Sequence, residues 1–179
     1  GDALLAPLAM AVMRGDARHV DAGAEARSYL QRYAAEHALA CGNRKAAEAV
    51  LLDFKWLFAR LQAEGTPYSL MADYRRFAEA YDDGGARDVA MMGGVVKMAA
   101  AALCKSPPEL ASQVVGRLGR VDEGAAVLRT PRLQKLVRDA RRWRWPQGWW
   151  CPTRATLTPP GGPLRMTLEG HTERVNSVA

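Results

Sequence analysis

Apolar residues return every three or four positions through most of the first 142 residues, and period-two alternation is nearly absent, so this body reads as all-α. A first helix is predicted over Asp2 to Met13, stopping near Gly15. The next runs from about Ala24 to Leu39, with apolar positions 26, 29, 30, 33, 34 and 38 on one stripe and Gly42 as its stop. Asn43 suits an N-cap for a segment carrying Val50, Leu51 and Leu52, and Asp53 supplies a second cap inside the same stretch. Beyond it, Phe54, Trp56, Leu57, Phe58 and Leu61 wrap more than one helix face, which predicts a central element touched on several sides. Thr66-Pro67 reads as a cap followed by proline at the first helical position. It opens a helix with Leu70, Met71, Tyr74, Phe77, Ala78 and Tyr81 spaced at three and four, closed by Asp82 to Gly85.

The scheme continues with a helix over Arg87 to Cys104, a break at Ser106-Pro107-Pro108, helices over Glu109 to Leu118 and Glu123 to Leu128, and a last helix from Pro131 to Arg142. The Gly93-Gly94 pair permits close helix packing, marks a kink, or divides its helix in two. Helices of this length joined by short turns imply antiparallel neighbours, arranged as a multi-helix bundle or a short helical array. No self-similarity at the usual 34- or 40-residue periods favours a solenoid. After Arg142 the pattern changes. Residues 143–163 are rich in Trp, Pro and Gly and read as an extended linker, because Pro and Gly interrupt any helix. Residues 164–179 alternate around Gly170-His171 like two short strands. The predicted organisation is thus 1–22 unassigned, 23–142 a helical domain, 143–163 a linker, and 164–179 a β-strand start.

The charge is local. Of 25 Lys and Arg and 19 Asp and Glu, residues 1–128 hold 15 basic and 16 acidic groups, residues 129–154 hold 8 and 1, and residues 155–179 hold 2 and 2. The formal +6 therefore describes one 26-residue stretch, not a cationic protein. With 49% hydrophobic residues the chain can build a core, which excludes global disorder. The longest nearly apolar run, Val89 to Cys104, has 16 residues and contains Lys97, short of the roughly 20 a bilayer requires. Three dispersed cysteines, Cys41, Cys104 and Cys151, suggest no disulfide framework and fit a reducing, cytoplasmic setting. His37 and Cys41 share a helix face, but two ligands do not make a zinc site, so ordinary packing or surface positions are the simpler account. The chain begins at Gly1 without Met and without a secretory leader, which reads as a piece of a longer protein.

Two groups of residues carry a resemblance. Leu168-Glu169-Gly170-His171-Thr172, with Val175, Ser177, Val178 and Ala179, resembles the opening of a WD repeat, where Gly170 and His171 would lie between the outer strand of one blade and the inner strand of the next. The Pro159-Pro160-Gly161-Gly162-Pro163-Leu164 lead-in looks like the approach to the WD-repeat propeller of signalling ATPases related to the apoptotic protease-activating factor, the STAND class with its NB-ARC and NACHT relatives. In order, Val50 to Leu61, Leu70 to Tyr74 and Leu110 to Leu118 resemble the helical spacer of those proteins, and the Asp53-Phe54-Lys55-Trp56-Leu57 box is the more specific part. The likeness covers roughly residues 27–179. Family members often carry a His-Leu-Pro-x-His-Leu-like run in the first spacer helix, of which Tyr33-Ala34-Ala35-Glu36-His37-Ala38 keeps only the second histidine. Residues 1–22 match nothing in that pattern.

What the resemblance implies is a scaffold between an ATPase and a sensing propeller, with Phe54, Trp56, Leu57, Leu61 and Tyr74 as its structural core and the adjacent domains of the same protein as its partners. Homo-oligomerisation would belong to the parent. No Gly-x-x-x-x-Gly-Lys-[Ser/Thr] loop occurs in the chain, and no nucleophile-elbow or paired-carboxylate pattern points to catalysis, so no enzyme activity and no cofactor are expected of it. The rest of the propeller is expected to lie outside this sequence too, since one blade needs about 40–45 residues. The alternative is a cationic module: on the last helix Leu133, Leu136, Val137 and Ala140 form a narrow apolar stripe, and Arg132, Lys135, Arg138, Arg141 and Arg142 spread over the rest as possible anion contacts. With the neighbouring tryptophans they suit nucleic acid or an anionic membrane. The bland counterpart is a solvated basic face with tryptophans that dock the following chain onto the helices or the propeller. Because the charge excess is so local, nucleic acid or membrane partners are not the favoured expectation.

Overall fold

Side-chain caps start three of the eight described helices. The computed structural model describes residues 24–81, 86–119, 130–146 and 148–161, with the side chains of 24–27 left aside. Among the described residues the chain is all-helical: α1 Ala24–Ala40, α2 Arg44–Leu51, α3 Phe54–Glu64, α4 Tyr68–Ala80, α5 Arg87–Met98, α6 Ala100–Lys105, α7 Glu109–Leu118 and α8 Pro131–Arg142. The helices predicted over Asp2 to Met13 and Glu123 to Leu128, and the strands around Gly170 and His171, lie outside the described residues.

The Asn43 side chain accepts from the Ala46 N–H at 3.1 Å and so starts α2, while Asp53 accepts from the Trp56 N–H at 2.9 Å and starts α3. Each satisfies one of the orphan donors of a first turn. Thr130 does the same for Leu133 ahead of Pro131 in α8. Gly65 ends α3 in the left-handed region at φ +69°, which side chains other than glycine rarely adopt.

Three expectations change. No side chain caps α4: Pro67 takes the cap position itself, so Thr66 does not serve and the helix opens at Tyr68. The helix expected over Arg87 to Cys104 is two, divided at Ala99, with the glycine pair inside an unbroken α5. In α1, Tyr29 and Tyr33 are 48% and 40% exposed, and the buried face consists of Leu30, Ala34, Ala35 and Ala38. The small residues let α1 lie close to α2 and α4, while the two tyrosine rings pack on each other at 4.8 Å outside the core.

One hydrophobic cluster draws on all eight described helices, α6 contributing Leu103, with Ala99 at the junction of α5 and α6. Contacts reach far along the sequence: α3 packs on α1, α2 and α8, and α5 packs on α2, α4 and α7. The contact of α3 with α8 brings the last described helix back onto the first half of the helical body. Phe54, Trp56, Leu57, Leu61 and Tyr74 are all buried, and the Tyr74 hydroxyl donates to the Leu51 carbonyl at 2.6 Å, tying α4 to the end of α2. Each large apolar side chain fully buried in this way contributes roughly 1.5–3 kcal/mol. Gly93 permits the approach of α5 to α4, since a Cβ there would sit 3.0 Å from Cγ of Tyr74.

Candidate functional site

The basic end of the chain is where sequence placed candidate ligand contacts, and the fold answers each in turn. Leu133, Leu136, Val137 and Ala140 are buried, which turns the other side of α8 outward. Arg132 does not project freely: its guanidinium pairs with the Glu48 carboxylate, which also accepts from Arg44 Nε at 2.8 Å. Burial pushes the Glu48 carboxyl up, but the hydrogen bonds and charges of Arg44 and Arg132 outweigh it and hold its pKa below the ordinary value. Lys135 reaches Asp139 one turn along at 2.5 Å. Arg141 is half-buried, with Nη2 near Gly119. Arg138 and Arg142 are exposed. The five residues are thus not one anion cradle: two of them neutralise carboxylates of the same chain.

Past α8, residues 143–146 and 148–150 are irregular, and their rings pack back onto α3. The Trp143 ring lies 4.6 Å from Phe58 and 6.1 Å from Phe54, and Trp145 lies 5.5 Å from Phe58. The Trp149 indole N–H donates to the Trp143 carbonyl at 2.9 Å, while Trp150 stays 92% exposed. Offset and edge-on aromatic pairs of this sort contribute about 0.5–1.5 kcal/mol each beyond the area they bury. Trp143, Trp145 and Trp149 therefore dock this stretch onto the helices, in line with the bland reading of the tryptophans.

A second polar assembly escaped the sequence reading. Asp73 on α4 is 1% exposed and lies 2.7 Å from Nη1 of Arg60 on α3, which is also buried. The two atoms meet as an ion pair but out of line for a hydrogen bond. Arg60 also donates through Nε to Glu64 at 3.2 Å and lies over the Trp56 ring at 5.2 Å, and Arg76 joins Asp73 and, at 3.8 Å, Glu36 of α1. Burial is the largest influence on Asp73. Against the opposing pull of Arg60 and Arg76, it pushes the carboxyl up to about 6. A polar cleft of about 340 Å³ opens over this group, with Arg32, Tyr33 and Ser69 at its walls. Its three arginines and three carboxylates balance, so the assembly ties α1, α3 and α4 together. The available signal was Asp73 itself, a charge at i+3 from Leu70 and i−4 from Phe77 on an apolar stripe.

Among the described residues no cluster of His, Cys, Asp and Glu is placed to hold a metal ion, and no helix is long and apolar enough to cross a membrane. His37 accepts or donates at 2.8 Å with the Tyr29 hydroxyl. Comparison with protein families, with curated proteins and with solved structures gives no match to this chain.

Proposed function

We propose that the chain is a non-catalytic, cytoplasmic helical spacer that links a nucleotide-switched ATPase of the STAND class to a ligand-sensing WD-repeat propeller. The observation that carries this reading is the order of two motifs in one chain, the Asp53-Phe54-Lys55-Trp56-Leu57 box and, farther on, Leu168-Glu169-Gly170-His171-Thr172. The fold is compatible with a mechanical role: the box forms the start of α3, which is packed against three other helices, and a body with one shared core moves as a unit. The ATPase and propeller of the same protein are its partners, and assembly into oligomers belongs to the parent.

The test is the complete reading frame of the gene. A phosphate loop upstream together with repeated Gly-His…Trp-Asp units downstream is the expected result. A reading frame that lacks both would overturn the proposal.

A further inference from the structure

Glycine is a poor helix former, yet α5 and α7 carry Gly94 and Gly116 in their interiors and Gly119 follows directly on α7. The chain segment 155–161 explains their positions. A Cβ on Gly94 would fall 2.6 Å from Cβ of Pro160, and one on Gly116 would fall 2.8 Å from Cδ1 of Leu157. Both distances are shorter than non-bonded carbons tolerate, and the Pro160 ring cannot swing aside as a flexible side chain can. At Gly119 the neighbour is Ala155, at 3.4 Å. Two hydrogen bonds fasten the same segment: the Leu157 N–H donates to the Gly116 carbonyl at 3.0 Å, and Arg117 Nη1 donates to the Thr158 carbonyl at 2.7 Å. Ala155 and Pro160 are buried, while Thr156, Leu157 and Thr158 remain exposed.

We propose that residues 155–161 are a releasable latch, an extended Leu-Thr-Pro-Pro strap seated in a glycine-lined cradle on α5 and α7. The strap has no secondary structure of its own, and the few contacts just described hold it. While it is fastened, the position at which the chain leaves the helical body is fixed, and a force applied beyond residue 161 acts directly on α5 and α7. Once it is released, the same force extends a slack tether. The inference stands on the helical body alone and adds to the spacer reading the element that would carry displacement through it.

Limited digestion of the full chain with trypsin tests the latch, because Arg154 is exposed and the bond after it leads straight into the buried Ala155. Cleavage of a folded protein tracks the population of the locally open state. Gly94→Ala adds a single methyl group and improves helix propensity, so the far-UV melt of the variant holds or rises while cleavage after Arg154, followed by mass spectrometry, accelerates about tenfold or more. Leu157→Gly, which leaves both helices untouched, gives the same acceleration. Should Gly94→Ala lower the melt, Leu157→Gly decides: fast cleavage with an intact melt supports the latch. Cleavage after Arg154 at the wild-type rate in Leu157→Gly overturns it, as does a wild-type rate in both variants. None of these outcomes depends on an ATPase or a propeller.

Discussion

Four of the five tryptophans divide between two regions that hold an indole by different means. Trp56 is fully buried in α3, a helix that packs on three others. Trp143, Trp145 and Trp149 belong to a stretch with no regular backbone and are held by rings of α3 and by each other. Burial in the first region follows from helix geometry; docking in the second requires that the body already exists. The first region should therefore fail globally when disturbed, and the second locally.

Three measurements would break or sharpen that contrast. The largest effect is expected from Trp56→Ala, which opens a cavity where several helices meet and should cost about 3–5 kcal/mol of unfolding free energy. An unchanged thermal midpoint would refute the central position of α3. Next comes the buried pair beside it. The folded-state pKa of Asp73 is about 6 against an ordinary 3.8, so the folded protein retains a proton that the unfolded chain has released. Its contribution to stability is complete below about pH 4 and is lost as pH rises through about 6. Such a difference corresponds to about 3 kcal/mol at most. Asp73→Asn removes this dependence, so urea titrations between pH 4 and 7 should show the variant gaining on the wild type as pH rises. A constant difference across that range would show that Asp73 is not desolvated. Glu48, held below its ordinary pKa, contributes in the opposite sense and loses its share as pH falls, which is why the variant, not the bare pH profile, is the informative measurement. The smallest effect belongs to the second region. Trp143→Ala should lower stability by about 1–2 kcal/mol and expose Phe58 while leaving the helix content intact by circular dichroism. A loss as large as that of Trp56→Ala would erase the distinction between the two regions.

Much of the helical body was legible because its signals are local. Asn43, Asp53 and Pro131 each do their work within one turn, and the aromatic run of α3 encodes its burial in spacing alone. The exposed Tyr29 and Tyr33 were not legible, since which edge of an amphipathic stripe faces the core depends on what lies beside it. Asp73 looked like one polar residue among apolar ones until Arg60 arrived from another helix. The segment 143–161 has no period to read, and the purpose of Gly94 becomes apparent only when Pro160 rests on it, more than sixty residues later in the chain. The basic excess could be located from composition, but the pairing of Arg132 with Glu48 joins positions 84 residues apart and has no signature in either neighbourhood.

The crowding of indoles around the end of α8 has a practical consequence. Trp143 and Trp145 are stacked at 5.6 Å with their planes 17° apart, and with Trp149 they make up three of the five tryptophans, while Trp150 is 92% exposed even when the segment is seated. Intrinsic fluorescence of this protein is therefore mostly a local gauge of whether one irregular segment is seated, whereas the far-ultraviolet dichroism reports the helices. A mismatch between the two transitions, ordinarily taken as the mark of a folding intermediate, would here record the undocking of that segment from a body still intact.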